Sequence, residues 1–287
     1  MRIGRREVNY KYVLKLCIFG GFDLRIERIS TGIPSLDNLL QGGVPRGFLV
    51  ALVGEPGTGK TIASIHFIAE GIKEGDKCIY CTTEESRESI IAAASLFGFN
   101  FEKAVDENQL IIIDALLKRK DDPWVLKSLD TQELLQKVID AKKELGYGHG
   151  RLVIDSLSAF WLHAPAMARR ESYIIKKVLH PWNFTTYAVS EYAITTGEAF
   201  GFGLEHIGDA IFRFRKYVRG GVLRRFLLIE KCRLTAHDLR MWEIEIVDGV
   251  GMILKSPTEY RAEDVRLPKQ VMDRVLKAKE KKEMELP

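Results

Sequence analysis

The chain has 287 residues, of which 46% are hydrophobic and 29% charged, with a formal net charge of +4. This is the composition of a soluble globular chain long enough to bury one large core or two small ones, and the mild basicity permits a nucleic-acid partner without requiring one. The apolar stretch 12–22 is interrupted by Lys15 and Gly20-Gly21, so it is too short to span a bilayer, and no membrane association is expected. Asn and Gln are scarce while Glu, Lys and Arg are plentiful, which leans toward a thermophile. The cysteines are Cys17, Cys78, Cys81 and Cys232. Cys78 and Cys81 fall in a predicted strand, where i and i+3 point to opposite faces and cannot share a metal. A reducing, cytoplasmic setting fits this usage.

Residues 1–28 are basic and then apolar without a clear period, and read equally as an edge strand, an appendage or an artefact of an upstream start. Residues 29–47 read as a turn, a short helix over 36–40 with Ser35 as its N-cap, and a Gly-Pro turn. The apolar run 48–53 then enters Gly54-Glu55-Pro56-Gly57-Thr58-Gly59-Lys60-Thr61, and a helix-forming run from Ile62 to Ile72 leaves it. This is G-x-x-x-x-G-K-[ST] with every fixed position filled, in the strand–loop–helix context that the motif needs. Its glycines let the backbone aim N–H groups at a phosphate chain, and the following helix adds its positive end. The stretch Gly54 to Ile62 is therefore the predicted nucleotide cradle. Lys60 is expected on the β- and γ-phosphates and Thr61 on Mg²⁺.

Next come a strand over 77–83 ending in Glu84-Glu85, a helix over 86–97, and a strand over 110–115. A charged loop precedes an amphipathic helix over 131–145, with Leu134, Leu135, Val138 and Ala141 on one face. Leu152-Val153-Ile154-Asp155 is a buried-strand signature ending in an acid. A loop over 159–170, a helix over 171–179 and a strand over 185–190 ending at Glu191 follow, and 192–206 reads as a Gly- and Thr-rich mobile loop. Strands over 211–218 and 223–233 form a hairpin around Gly220-Gly221, extended by 241–247 and 251–254. Residues 258–286 are a charged tail with a helix expected from Asp264. The predicted fold is α/β, with a sheet that is parallel in its centre and antiparallel in its C-terminal extension.

A P-loop needs an acid for Mg²⁺ and a group that positions or deprotonates the attacking water. Asp155 ends a strand at the carboxyl edge of the sheet, where the loops meet, and is the predicted Mg²⁺ acid. Glu84 and Glu85 end another strand at that edge. Neighbours in an extended chain diverge, so one of them faces the γ-phosphate, Glu84 by preference, while both also suit a helix N-terminus. Lys231 and Arg233 are two apart, with Thr235 and His237 at the same parity, so a continuing strand would place all four on one face. They read as a solvated edge or as groups, His237 included, that contact a nucleotide bound to a neighbouring subunit. Arg213, Arg215, Lys216, Arg219, Arg224 and Arg225 make the hairpin basic, suiting single-stranded nucleic acid, an acidic protein face, or simple protection of an edge. Arg169, Arg170, Trp161, Phe200 and Phe202 would add phosphate contacts and stacking to the nucleic-acid reading. Ser156 and Ser158 lie near the site, but serine is too common to mark a phosphoacceptor in a slow signalling switch.

Together these residues resemble the KaiC-like branch of the RecA/RadA superfamily of P-loop ATPases. The resemblance rests on Thr31-Gly32-Ile33-Pro34-Ser35-Leu36-Asp37 with residues 42–47, on the P-loop, and on Glu84-Glu85. Residues 152–156, Gly203 to Asp209, and Lys231-x-Arg233-x-Thr235-x-His237 complete it. It covers about residues 27–255. It implies a RecA-type ATPase domain over 27–255, an N-terminal extension over 1–26 and a charged tail over 256–287. It further implies a ring-shaped, often hexameric homo-oligomer with Mg·ATP between subunits, hydrolysis served by the paired glutamates, and Lys231 and Arg233 reaching ATP across the interface. The family commonly has Gly after the Arg of the K-x-R stretch, where this chain has Leu234. A single ATPase domain excludes carrying over the function of the duplicated clock protein.

Overall fold

The computed structural model describes residues 26–117, 121–161, 164–191 and 203–259. The predicted tail helix, the first 25 residues, Phe200 and Phe202 lie outside them. Among the described residues, no helix is long and apolar enough to cross a membrane.

β1 (Arg28–Ile29) pairs antiparallel with β2 (Val44–Pro45), and α1 (Pro34–Leu39) lies between them in sequence. Ser35 does not cap α1, as its sequence position suggested. The cap position is Ile33, Ser35 sits inside the helix, and its Oγ accepts the Leu254 N–H at 3.0 Å. β3 (Leu49–Gly54) enters the P-loop and α2 (Lys60–Glu74) leaves it. β4 (Lys77–Thr82), α3 (Arg87–Ser95), α4 (Phe101–Asp106) and β5 (Leu110–Asp114) follow. Then come α5 (Thr131–Leu145), β6 (Gly150–Asp155), α6 (Ala168–Leu179), β7 (Phe184–Glu191) and α7 (Leu204–Ile207). The chain continues through β8 (Ala210–Arg219), β9 (Val222–Cys232), β10 (Met241–Val247) and β11 (Gly251–Thr258).

These strands form a nine-stranded sheet of order β11-β10-β9-β8-β3-β7-β6-β4-β5. Neighbours from β5 to β8 are parallel, and β8, β9, β10 and β11 pair antiparallel, as the sequence pattern predicts. The parallel strands are near-continuous apolar runs because helices cover both faces. Side chains alternate between two cores. One face buries Val50, Leu52, Cys78, Tyr80 and Val153 under α1 to α4. The other buries Ala51, Val53, Ile79, Cys81 and Ile154 under α5, α6 and α7. Cys78 and Cys81 thus lie on opposite faces, and burial raises both thiols well above their usual value. No group of three or more metal-ligating side chains exists among the described residues.

Two buried polar clusters tie the P-loop helix to this frame. Arg151 on β6 is fully buried. Its guanidinium donates to Asp76, Glu74 and the carbonyls of Ser30 and Phe67, and sits 4.9 Å from the Phe67 ring centroid. His66 lies on the same helix. Its Nε2 accepts the Met252 N–H at 2.9 Å, so the proton is on Nδ1, which donates to the Gly32 carbonyl at 3.1 Å. Gly251 allows this approach, since a Cβ there would lie 2.0 Å from His66 Nε2.

The imidazole is therefore held neutral, and burial lowers its pKa below the usual 6.5. The unfolded chain binds a proton at His66 that the folded chain does not. Stability should be full above pH of about 6.5 and should fall as pH drops from there toward the lowered folded value. Thermal melts of the wild type and His66→Gln across this range should converge as pH falls.

Candidate active site

The carboxyl ends of five adjacent strands gather at one edge of the sheet, β3 and β7 reaching two residues beyond β6, β4 and β5. Gly54 is opposite Glu191, and Thr82 is opposite both Asp155 and Asp114. Gly54 closes β3, and the loop folds back so that the Thr58 hydroxyl donates to the Glu55 carbonyl at 2.8 Å. Gly59 has φ +103°, and a Cβ on it would lie 2.9 Å from Met252 Cε. The torsion favours glycine there, while the methionine end could move aside for a larger residue. α2 begins at Lys60, so its unpaired N–H groups face the loop.

Lys60 is buried, 5% exposed. Its Nζ donates to the carbonyls of Gly54 at 2.9 Å and Glu55 at 2.8 Å, and lies 3.6 Å from Glu191 Oε1. Burial lowers its pKa, and the charges of Glu191, Asp155 and Glu84 oppose that shift. Asp155 accepts the Tyr80 hydroxyl on Oδ2 at 2.8 Å and also hydrogen-bonds the Thr61 side chain. Burial raises the Asp155 carboxyl, against the pull of Thr61, Tyr80 and Lys60. A hydroxyl bonded to a strand-end carboxylate beside a P-loop is a hard-oxygen donor set that fits Mg²⁺.

Glu84 Oε1 accepts the Ser156 hydroxyl at 2.8 Å, and its charge is felt at Lys60, Asp155 and Glu191. Glu85 makes other contacts. Its main chain exchanges bonds with the Thr82 hydroxyl, and its charge reaches Tyr80. Neither glutamate caps the next helix, because the Ser86 Oγ accepts the Ser89 N–H.

Lys231, Arg233, Thr235 and His237 are not in this group. Lys231 pairs with Ile211 and donates to the Gly208 carbonyl at 2.6 Å, and Arg233 donates to Asp209 at 3.1 Å. Asp209 in turn accepts the Leu49 N–H. Arg233 is level with Leu49 at the start of β3, five residues from Gly54 or about 17 Å along the strand, while Lys231, opposite Ile211 and so level with Ala51, is three residues or about 10 Å from it. The expected parity also ends early. β9 stops at Cys232 and Leu234 turns with φ +56°, so Thr235 and His237 are not on a strand face. The Arg28 guanidinium fixes this turn by donating to the Leu234 carbonyl and the Thr235 hydroxyl. His237 has Nδ1 3.2 Å from the Thr235 carbonyl.

The basic hairpin is mostly committed to internal contacts. Arg213 pairs with Glu230 and Arg224 with Glu243, while Arg219 packs over Phe226 and donates to Thr258. Lys216 and Arg225 donate to the P-loop carbonyls of Pro56 at 2.7 Å and Gly57 at 2.9 Å. Arg169 and Arg170 are exposed, but Trp161 is 2% exposed within the core and cannot stack on a base. Sequence reasoning missed Tyr80, Glu191, Lys216 and Arg225 as neighbours of the site. Only Glu191 carried a signal, an acid ending an apolar strand like Asp155.

A parallel sheet with a P-loop at its carboxyl edge and acids on the adjoining tips defines the class of P-loop nucleotide triphosphatases. A family model described as the KaiC ATPase matches residues 29–259. A UPF0273 protein of Thermotoga maritima is 34% identical over 229 residues, covering 78% of this chain and 94% of that protein. A UPF0273 protein of Methanopyrus kandleri is 34% identical over 231 residues, covering 78% and 91%. The crystal structure of a KaiC-like protein from Pyrococcus horikoshii superposes with a TM-score of 0.69 at 27% identity, covering 80% of this chain and all of that one. The chain belongs to the KaiC ATPase family.

Leu234 turns with a left-handed φ where the resemblance leads one to expect glycine, and nothing in the structure explains the leucine. A left-handed φ suits glycine and strains a leucine by about 1 kcal/mol. Leu234→Gly should raise the unfolding free energy by about 0.5–1 kcal/mol, read by urea denaturation. A loss of stability would mean that the exposed leucine side chain makes a contact worth more than the strain.

Proposed function

We propose that the protein is an oligomeric ATPase that binds Mg·ATP on its P-loop and completes each site with residues of a neighbouring subunit. The observation that carries this reading is a separation. Lys60, Thr61, Asp155 and Glu84 converge at one rim of the sheet, and Lys231 and Arg233 are set back from it by about 10 and about 17 Å along the strand direction, toward the other rim. Two cations of the same chain so far from their own P-loop suit a site on the next copy, and His237 accompanies them.

The stretch Gly54 to Ile62 wraps the phosphates, and Lys60 leaves its loop carbonyls for the β- and γ-oxygens. Thr61 and Asp155 would hold Mg²⁺, which neutralises charge across the β- and γ-phosphates when bound. Glu84 accepts a proton from water as the water oxygen bonds to the γ-phosphorus and the bond to the bridging oxygen breaks, releasing ADP. Lys231 and Arg233 of the neighbour stabilise the charge spreading over the equatorial oxygens.

Lys60→Ala should abolish retention of labelled ATP. Glu84→Gln should retain it and hydrolyse it about 100-fold more slowly or worse; turnover at the wild-type rate would remove Glu84 from the role of base. Arg233→Ala should be inactive alone and regain partial activity when mixed with Lys60→Ala, because each variant supplies what the other lacks. An inactive mixture that nonetheless co-assembles would rule out the shared site.

A further inference from the structure

Ser156 and Ser158 have no part in the chemistry just described, yet both hydroxyls are buried against it. They are 1% and 6% exposed, on the turn that follows β6. Ser156 Oγ is 2.8 Å from Glu84 Oε1. An ionised carboxylate only accepts, so Ser156 gives its one proton to Glu84. Ser158 Oγ accepts the Glu191 N–H at 3.1 Å and lies 3.2 Å from Ser156 Oγ. The Ser156 proton is already committed, so Ser158 donates to Ser156. The direction of every bond follows. Glu191 N–H donates to Ser158, Ser158 to Ser156, and Ser156 to Glu84.

Both ends of this chain are anchored. The Glu191 carboxylate is 3.6 Å from Lys60 Nζ, and β7, which ends at Glu191, is paired along β3. At the other end, the Ser156 N–H donates to Thr83 Oγ1 at 2.8 Å and its carbonyl accepts the same hydroxyl at 3.2 Å. Thr83 immediately precedes Glu84. The donor hydroxyl is thus fixed relative to the backbone that carries the glutamate. A carboxylate at an exposed strand tip has several rotamers of similar energy. A buried donor held on three sides selects one of them, and a charge-assisted bond to Oε1 leaves Oε2 to face the reaction.

We propose that Ser156, oriented by Ser158, is a positioning residue that holds Glu84 for water activation. The same hydrogen-bonded chain ties the orientation of Glu84 to Glu191, and through it to the Lys60 that grips the phosphates. This inference rests on the hydrolytic reading of Glu84 above.

Steady-state kinetics of Ser156→Ala should show kcat lowered about 10- to 100-fold with KM for ATP within about twofold of wild type. Its melting temperature with Mg·ADP should stay close to wild type. In a Glu84→Gln background, Ser156→Ala should add little further loss, because the serine acts through the glutamate. Wild-type kcat in Ser156→Ala, or an equal additional loss in the Glu84→Gln background, would overturn the proposal. Should Ser156→Ala not fold, Ser158→Ala carries the test with an expected loss of several-fold in kcat, and an unchanged kcat would overturn it. If Glu84→Gln itself hydrolyses at the wild-type rate, the assignment of the base falls and this inference with it. That outcome differs from a slow Glu84→Gln beside a fast Ser156→Ala, which sinks the positioning role alone.

Discussion

The constraint on which the rest of the structure depends is the burial of one ammonium group. Lys60 is almost sealed from water, and a buried cation must be surrounded by oxygens or lose its charge. Two P-loop carbonyls and the Glu191 carboxylate surround it directly, with Asp155 and Glu84 further out. Those groups can converge only if the four parallel strands that carry them end at one edge of the sheet in a fixed register. That in turn requires helices on both sheet faces and the register that puts Gly54 opposite Glu191 and Thr82 opposite Asp155. The two cores, the Arg151 cluster and the neutral His66 are the means by which this alignment is held. Arg151 locks the far end of the P-loop helix, and His66 binds the middle of the same helix to β11.

The chemistry of the two rims is consequently unequal. The carboxyl rim gathers acids around a cation and suits a polyanion that brings its own metal. The opposite rim gathers cations around one acid, since Lys176, Arg233 and the Leu49 N–H all converge on Asp209. Each rim carries what the other lacks. A head-to-tail arrangement of copies is the geometry that brings unlike faces together and, if the rotation closes, yields a ring.

Much of this was legible in the sequence, for identifiable reasons. The P-loop declares itself because torsion at Gly59 favours glycine and the phosphate-facing charge calls for Lys60. β3 to β7 declare themselves because burial on both faces demands unbroken apolar runs, whereas the two-residue β1 and β2 are too short to show in the sequence. α4 was missed because its six residues are too short for a helical period, although Asn100 does cap it. Ser35 was misread because its contact, Leu254, is more than two hundred residues away. The parity argument for Thr235 and His237 failed at Leu234, whose left-handed turn is imposed by Arg28 and leaves no mark in the residue types. The charges of the hairpin looked free because their partners are distant in sequence, as with Lys216 on Pro56.

The hairpin formed by β8 and β9 is, finally, a ruler. Arg225 touches the P-loop at Gly57, and eight residues later along the same run of chain Arg233 stands at the other rim. The ladder with β8 follows β9 through this span with a register shift opposite Glu230, and the ladder with β10 covers Arg225 to Leu228. Inserting or deleting one residue between Arg225 and Arg233 would turn the distal side chains through the sheet to its other side. The spacing of these two arginines is thus a fixed dimension of the machine, as much as the eight residues of the P-loop itself.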